Sequence, residues 1–394
     1  MTRVVTKEII DNLYVLRVDD TKTRFFESLW EIPEGITYNA YLVKTRDGDV
    51  LIDGWKSIYA SEFIEALESI TELDRIRYVI VQHMEPDHTG SLKTLLSRTV
   101  NARVLSHPMS QKMMAKFYRI SPPFKPVKNL EELDVGGYRF SFIYAPWIHW
   151  PETIFTYMRN EGLLFTCDAF GGYSIPPCIT DEECIPEDYL YYAEKYMATV
   201  VGTYRRNLVA GIDKLSKLGL KIKAVLPGHG LIWMHDPQFI IELYRRWGLG
   251  TPERKALIIH TTMYGATDSL AVKIRSKLAS RGYRVVEKVF NDTSRPLVSD
   301  VIGEANSAKL IVLIAGTYEA GLHPIARYIL GEITDKISPE GRKILLASAH
   351  GWGAGAEREV RRIIEGKKFE LSASVYIDAD DREIEEAIDN SLKD

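Results

Sequence analysis

Residues 81–90 read VQHMEPDHTG, and the apolar run IRYVIV leads into them with the pattern of a buried strand. Four of the six residues 83–88 carry an imidazole or a carboxylate: His83, Glu85, Asp87 and His88. Loops after buried strands carry the chemistry of α/β sheets, and imidazole with carboxylate is a ligand set for divalent and trivalent metal ions. The alternative is a solvated turn whose Asp caps the helix that starts at DHTGSLKTLL. The stretch therefore indicates a metal site.

Three more strand ends supply matching groups. The stretches APWIHWPET, LLFTCDAFGG and AVLPGHG bring His149, Asp168 and His229, each beside Gly, Pro or an aromatic residue. Taken singly, such a His or Asp is more often a hydrogen-bonded core or turn residue than a ligand. Because all three follow apolar strands, as residues 83–88 do, the set indicates one metal centre.

Two domains are predicted, over residues 1–250 and 251–394. The first interleaves short strands (NLYVLRV, YNAYLVKT, VLIDGW, RYVIVQH, ARVLSH, RFSFIYA, LLFTCDA, KAVLPGHG) with helices such as SEFIEALESI and SLKTLLSRT. The pair Asp47-Gly48 predicts a tight hairpin, so part of the sheet is antiparallel. The second alternates helices with five strand candidates, ALIIHTT, RVVEKVF, KLIVLIAG, KILLASA and LSASVYI. That rhythm predicts a doubly wound domain of flavodoxin type.

The pattern H-x-[EH]-x-D-H, followed by strand-end His, Asp and His in that order, resembles the metallo-β-lactamase fold. Hydrolases of that fold usually carry His where this chain has Glu85, and they bind zinc. With Glu85, the set is similar to that of flavodiiron proteins, and the likeness covers nearly the whole chain. Ionised carboxylate is a harder ligand than imidazole and favours iron that cycles to the ferric state.

The resemblance implies a role for each metal-site residue. One iron would be held by two imidazoles and one carboxylate, His83, His149 and Glu85. Asp87 and His229 would hold the second iron, and Asp168 would bridge the two. The histidine that matches His88 either ligates or turns away within the family, and the sequence leaves this open. Trp147 and Trp150 either exclude water from the irons or pack the core.

The resemblance also implies an αββα sandwich of metallo-β-lactamase type, followed by a flavodoxin-like, doubly wound, parallel five-stranded sheet that binds FMN. A Ser/Thr-rich loop after the first strand would hold the FMN phosphate near a helix start. The loops after the third and fourth strands would flank the flavin ring, with Trp352 over one face unless it is a core or interface aromatic. The predicted FMN contacts are Thr262, Met263, Tyr264, Gly265, Ala266, Thr267, Gly316, Thr317, Tyr318, Glu319, Ser348, Ala349, His350, Gly351, Trp352 and Gly353.

The function that the resemblance implies is reduction of dioxygen to water, of nitric oxide to nitrous oxide, or both, at two iron ions fed through FMN. The alternative is a dizinc hydrolase with an appended flavodoxin-like module. A third possibility is an electron carrier whose metal half is vestigial, although no ligand position is missing. Flavodiiron proteins form head-to-tail dimers, so we expect a homodimer or a pair of dimers.

Composition limits the partners and the compartment. The 394 residues are 45% hydrophobic with a formal net charge of -4, and no basic run indicates binding to nucleic acid or membrane. Without an N-terminal leader or an apolar run of eighteen residues, we expect a cytoplasmic protein. Cys167, Cys178 and Cys184 show no metal or redox spacing, and we expect reduced thiols. No C-terminal C-x-x-C module occurs, so the electron donor, rubredoxin or a reduced deazaflavin, is expected to be separate.

Overall fold

A computed structural model describes residues 3–351 and 353–393. These residues form two compact units. The first comprises the described residues up to Met197 together with Tyr204–Arg245, and the second comprises Ala198–Thr203 and the described residues from Arg246 onward. The predicted boundary at residue 250 lies just inside the second unit.

The strands are β1 (Arg3–Ile10), β2 (Leu13–Asp20), β3 (Phe25–Phe26), β4 (Trp30–Glu31), β5 (Ile36–Val43), β6 (Asp49–Ile52), β7 (Ile76–Ile80), β8 (Arg103–Ser106), β9 (Phe124–Pro126), β10 (Glu132–Val135), β11 (Tyr138–Tyr144), β12 (Ile154–Met158), β13 (Leu163–Cys167), β14 (Ala224–Pro227), β15 (Glu253–Thr261), β16 (Arg284–Phe290), β17 (Ala308–Tyr318), β18 (Gly321–Leu322), β19 (Lys343–Ala349) and β20 (Glu370–Tyr376). The α-helices are α1 (Ala60–Glu68), α2 (Pro86–Thr89), α3 (Leu92–Arg98), α4 (Ser110–Tyr118), α5 (Tyr189–Tyr196), α6 (Arg205–Lys217), α7 (Pro237–Leu249), α8 (Asp268–Ser280), α9 (Val298–Ser307), α10 (Pro324–Lys336), α11 (Gly355–Ile364) and α12 (Asp381–Leu392). Short 3-10 turns cover Ser57–Tyr59, Leu73–Arg75 and Gly202–Tyr204, and a π-helical turn covers Met197–Val201.

The first unit contains two packed sheets. Seven strands are ordered β1-β2-β5-β6-β7-β8-β9, and five are ordered β10-β11-β12-β13-β14. Apolar side chains from both sheets, such as Val15 and Tyr41 from one and Phe142 and Phe165 from the other, form one buried core between them. The hairpin predicted at Asp47-Gly48 joins β5 to β6, which pair antiparallel. The predicted metallo-β-lactamase-type sandwich is confirmed.

Strand β1 was not predicted, because its sequence RVVTKEII does not alternate apolar with polar residues. It lies at the edge of the seven-stranded sheet, where it pairs with β2, and all eight of its residues are exposed or half-buried. An edge strand that faces solvent carries charged residues, which also discourage pairing with other chains.

The second unit is a parallel sheet in the order β16-β15-β17-β19-β20. All five predicted runs form these strands. Helices α8 and α12 pack on one face and α9, α10 and α11 on the other, which makes the sheet doubly wound. The short strand β18 pairs antiparallel with the end of β17. The predicted flavodoxin-like topology is confirmed.

The prediction of three reduced thiols is wrong for two of them. Cys178 and Cys184 form a disulfide in the loop before α5. Backbone hydrogen bonds from Glu183 and Cys184 to the carbonyl of Thr180 fold this loop into a turn and bring the two cysteines together. That turn could not be predicted from the spacing of the cysteines. Cys167 is a free, buried thiol.

Candidate metal centre and flavin loops

The loop after β7 turns its side chains inward through a single helical turn. The chain is extended at Glu85, and α2 begins at Pro86, whose fixed φ suits the first helical position. This turn buries Asp87 and His88. Neither α2 nor α3 has a side-chain cap, and both Asp87 oxygens are buried without a hydrogen-bond partner among the described residues. The alternative interpretation of Asp87 as a helix cap is therefore wrong.

One group of donor atoms surrounds Glu85. Its Oε2 lies 2.9 Å from Nε2 of His149 and 3.3 Å from Nε2 of His83. The Oδ2 atom of Asp168 lies 3.4 Å from each of the same two nitrogens. The ligand atoms of these four residues all lie within 4.8 Å of one another, which is close enough to surround one metal ion.

A second group lies on the other oxygen of Asp168. Its Oδ1 is 2.9 Å from Nε2 of His88 and 3.1 Å from Nε2 of His229. The carboxylate of Asp87 lies 3.5 Å from His229 and 3.6 Å from His88. The structure thus brings all seven predicted ligands together, directs His88 toward the second group, and gives Asp168 one oxygen in each group.

The chemistry of this cluster fits two cations. Asp87, with both oxygens, and Asp168, through Oδ2, present buried carboxylate atoms that no donor satisfies within residues 3–351 and 353–393. A buried carboxylate oxygen without a donor is costly, and a metal ion removes that cost. The predicted ligands are imidazoles and carboxylates, without a cysteine thiolate. This ligand set suits iron, although zinc accepts the same atoms.

The imidazoles and carboxylates of the cluster shift one another's pKa values. Burial alone would lower the pKa of His83, but hydrogen bonds to Glu152 and Glu85 raise it to about 10. Burial would raise the pKa of Glu85, but hydrogen bonds from His149 and His83 lower it to about 2. The carboxylate is therefore ready to ligate, whereas the imidazole must release a proton when metal binds.

Sequence reasoning missed the groups that orient these imidazoles. Glu152 Oε1 accepts a hydrogen bond from Nδ1 of His83 at 3.0 Å and one from the backbone of Met84. His229 donates through Nδ1 to the carbonyl of Thr37 at 2.7 Å. Each contact fixes the tautomer that leaves Nε2 free for metal. Glu152 lies three residues after His149 in a stretch already singled out, so its proximity in sequence was the available signal.

Asp168 is held from two sides. Cys167, directly before it, has a φ of 50°, a left-handed conformation that is uncommon for a residue with a side chain. This conformation ends β13 and turns Asp168 into the centre. The hydroxyl of Tyr196 donates to Asp168 Oδ1 at 2.9 Å. Tyr196 lies in the tyrosine-rich helix α5, where nothing in the sequence distinguishes it from its neighbours.

Gly228 leaves room for a metal-site imidazole. A Cβ at this position would lie 2.6 Å from Cε1 of His88. Only glycine allows the PGHG turn to pass this close to the ring, so Gly228 is required for His88 and His229 to approach the same carboxylate oxygen.

We expect Glu152→Gln to weaken metal binding by about tenfold or more, because the amide lacks the charge that supports His83 as a ligand. Metal content after dialysis against a graded series of chelator concentrations measures the effect. Glu65→Gln, on an exposed position of α1, is the matched control and should retain its metal. Equal retention by both variants would contradict a supporting role for Glu152.

The two tryptophans that flank His149 have different positions. The ring of Trp150 packs edge-on against His83 at 5.0 Å between centroids and also contacts Phe117. Trp147 is 43% exposed and stacks on Tyr204. Trp150 is therefore the one placed to limit access of water to His83, and exclusion of water by Trp147 stays a prediction.

The predicted flavin loops meet at the carboxyl ends of β15, β17 and β19. Gly316 lies at the junction, because a Cβ there would contact Met263 of the first loop and the carbonyl of Ala349 of the third. Gly351 and Gly353 border open space. Tyr264 is almost fully exposed and Tyr318 is partly exposed, which leaves both side chains available to a ligand. Trp352, predicted to cover the ring, lies outside the described residues.

The flavin loops contain buried hydroxyls suited to a phosphorylated ligand. The hydroxyl oxygens of Thr262 and Ser348 are buried and have no hydrogen-bond partner in the described part of the chain. Thr262 follows β15 in the loop that leads to the start of α8, where backbone N–H groups and the helix dipole attract anions. The loops therefore fit FMN, and the sixteen contact residues stay predictions.

The chain is similar to known proteins along nearly its whole length. Residues 36–230 match the family described as "ODP family beta lactamase". A solved flavo di-iron protein mutant from Thermotoga maritima is 40% identical, has a TM-score of 0.94, and matches 99% of this chain and 98% of its own. The chain belongs to the flavodiiron protein family. Flavodiiron proteins are oxidoreductases, and the family implies FMN and a diiron site.

Two further relatives carry names that describe a reaction. This flavodiiron protein is 29% identical over 367 residues to a "Nitric oxide reductase" of Moorella thermoacetica, with 93% of this chain and 91% of the relative covered. It is 25% identical over 374 residues to an "Anaerobic nitric oxide reductase flavorubredoxin" of Pectobacterium atrosepticum, with 94% and 73% covered. Within residues 3–351 and 353–393, no helix has the length and apolar character needed to span a membrane.

Proposed function

We propose that this flavodiiron protein reduces dioxygen to water, nitric oxide to nitrous oxide, or both, at two iron ions that receive electrons through FMN. The observation that carries the proposal is the division of Asp168 between two donor groups, one oxygen to each. A dizinc hydrolase also needs two donor groups, and Glu85, where such hydrolases usually carry His, favours iron over zinc. The names of the Moorella and Pectobacterium relatives support nitric oxide as one substrate.

Paired iron ions, when bound, supply two adjacent electron donors and open coordination positions for a diatomic ligand. The protein's own residues determine the geometry of that site. Glu152 and Thr37 hold the imidazoles of His83 and His229 with Nε2 toward the donor cluster, and Tyr196 fixes the Asp168 carboxylate that would bridge the two ions. Trp150 shields one side of the donor cluster from solvent.

The electron balance requires an external reductant. Reduction of one dioxygen to two waters takes four electrons and four protons, whereas two nitric oxide molecules give one nitrous oxide and one water with two of each. We propose a separate donor, rubredoxin or a reduced deazaflavin, that reduces FMN. The flavorubredoxin name of a relative of which this chain spans 73% supports the rubredoxin choice. We also propose a cytoplasmic location.

The predicted ligand set lies in the first unit and the predicted FMN loops in the second. Because electron transfer slows steeply with distance, we propose that the protein acts as a head-to-tail homodimer, or as a pair of such dimers. In this arrangement the FMN of one subunit passes electrons to the irons of its partner. The twofold axis makes the two contacts between the subunits identical.

The proposal is tested on protein purified anaerobically and analysed for metals, visible spectrum and gas consumption with a reduced donor. We expect about one flavin and about two irons per chain, and consumption of nitric oxide, dioxygen or both. Zinc without flavin would instead support the dizinc hydrolase, and flavin without metal would support an electron carrier. Either result overturns the proposal.

We expect Glu85→His to shift metal selectivity from iron toward zinc, because it exchanges an anionic oxygen for the imidazole that hydrolases of this fold use. Reductase turnover should fall by about tenfold or more while flavin content is unchanged. Metal analysis after growth with both metals available measures the shift. Glu132→Gln, at a partly exposed glutamate in the same unit, is the control. A Glu85→His protein with full iron content and normal turnover would contradict the role given to this position.

A further inference from the structure

His260 is a buried histidine that belongs neither to the metal centre nor to the predicted flavin contacts. It lies near the end of β15, directly before the first flavin loop, and is 3% exposed. Its Nε2 lies 3.0 Å from the hydroxyl oxygen of Thr267, and its Nδ1 lies 3.2 Å from Oε1 of Glu287 on β16. It therefore connects the predicted phosphate loop to a carboxylate on the neighbouring strand.

The partners of His260 determine which nitrogen carries a proton. The hydrogen bond from His260 lowers the pKa of Glu287, burial opposes this effect, and a hydrogen bond from Arg275 at 2.7 Å adds to it. Glu287 is therefore a carboxylate, which only accepts hydrogen bonds, so Nδ1 of His260 carries a proton in both charge states of the ring. The charge state then decides whether Nε2 donates or accepts.

Thr267 responds to that difference because a hydroxyl has a single proton. A neutral His260 accepts at Nε2, so the Thr267 proton points to the ring and is not available to a phosphate. A protonated His260 donates at Nε2 to the Thr267 oxygen, which frees the hydroxyl proton for another acceptor. The Oδ1 atom of Asp268 also lies 3.6 Å from Nε2 of His260.

Thr267 is also not used as a helix cap. It is the N-cap residue of α8, where Thr normally accepts from the first-turn backbone, yet its side chain makes no such bond. Thr262, in the same loop, has a buried hydroxyl oxygen without a hydrogen-bond partner among the described residues. Thr267 thus holds a hydroxyl at a helix start, where an anion is favoured, and Thr262 adds a second hydroxyl from the same loop.

We propose that His260 is a positioning residue for the flavin phosphate: when protonated, it donates to Thr267 and leaves the hydroxyl proton of Thr267 free for the phosphate. This inference rests on the proposed FMN site and specifies how that site recognises its ligand. FMN then binds more tightly to the form with protonated His260, and bound FMN favours that form in return. The affinity for riboflavin, which lacks the phosphate, does not depend on the charge of His260.

The test compares the dissociation constants of FMN and riboflavin, measured by quenching of flavin fluorescence on the flavin-depleted full chain from about pH 5.5 to 8.5, where imidazoles titrate. His260→Leu removes the hydrogen bond, and His260→Gln keeps a permanent amide donor near the Nε2 position. His235→Gln, at an exposed histidine of the first unit, is the control. Thermal melting of each variant separates loss of folding from loss of binding.

We expect His260→Leu to weaken FMN roughly tenfold at the acid end while riboflavin changes less than about twofold, because a hydrogen bond to a charged group is lost. In the parent protein the FMN preference over riboflavin should fall more steeply with rising pH than in His260→Gln. Ionisation of the phosphate itself, near pH 6, is common to both proteins and cancels in this comparison.

Two results would overturn the inference: equal weakening of FMN and riboflavin in His260→Leu, or identical pH profiles in the parent protein and His260→Gln. Failure of the parent protein to bind either flavin would instead overturn the proposed function, together with the inference that rests on it. A variant that does not fold is identified by its melting curve, and the pH comparison with His260→Gln then decides the outcome.

Discussion

Asp168→Asn is expected to remove most of the bound iron and to lower turnover by about a hundredfold or more, whereas Cys167→Ser should leave both within about twofold of the parent protein. The carboxylate of Asp168 places one charged oxygen in each donor group. An amide has one carbonyl oxygen and one NH2 group that cannot ligate, so it cannot bridge two cations with charge. Iron content and steady-state rates of both variants measure the contrast.

Cys167 is a demanding control because it lies beside Asp168 and its sulfur belongs to a possible donor group with His88. Burial and the neighbouring carboxylates of Asp168, Asp53 and Asp87 raise the pKa of this thiol well above its usual value. A protonated thiol is a poor ligand, and serine fills nearly the same volume. If Cys167→Ser loses more iron than Asp168→Asn, the bridge and the strand that carries it have been misassigned.

The second prediction is reciprocal complementation between subunits. One chain carries His83→Ala and lacks the metal site, and the other carries Thr262→Ala with Thr267→Ala and lacks flavin. Each homodimer should be inactive. Heterodimers from co-expression should recover up to about half of the native activity, because a head-to-tail dimer places the one intact flavin beside the one intact iron pair. Activity per heterodimer, isolated through two different affinity tags, measures this recovery.

The matched control places all three substitutions in one chain and pairs it with the unmodified chain. If electrons pass between subunits, this heterodimer has no intact flavin and iron pair facing each other and should be inactive. If electrons pass within one chain, the control should keep about half of the activity and the first heterodimer none. The two arrangements therefore predict opposite results from the same pair of preparations, and the second result would reject the head-to-tail dimer.

Most strands that set the fold were predictable because they are apolar runs with clear ends, although β12, which is buried along its whole length, was missed. ALIIHTT, KLIVLIAG and KILLASA each contain a continuous run of four or more apolar residues, as expected of parallel strands buried on both faces. The grouping of His83, Glu85, Asp87 and His88 was predictable because four such side chains in six positions have few structural uses, and their role as metal ligands stays a prediction. β1 was missed because an exposed edge strand has no apolar pattern to detect.

The residues that sequence reasoning missed act through distant partners. Tyr196 reaches Asp168 from a helix, Thr37 contributes only a backbone carbonyl to His229, and His260 and Glu287 meet across two strands. None of these contacts has a fixed spacing or a composition that marks it, since they depend on which strands become neighbours. The disulfide between Cys178 and Cys184 was missed for a different reason, because it depends on a local turn that the spacing of the cysteines does not reveal.

The donor cluster draws its ligands from both sheets of the sandwich. His83 to His88 follow β7 of the seven-stranded sheet, whereas His149, Asp168 and His229 follow strands of the five-stranded sheet. A bound metal pair would therefore link the two sheets at the edge of their shared core. Because an unfolded chain has no such preformed cluster, the free energy of metal binding adds to the free energy of unfolding. Under the proposed function, iron supply in the cell is therefore expected to set the stability of the sandwich as well as the rate of turnover.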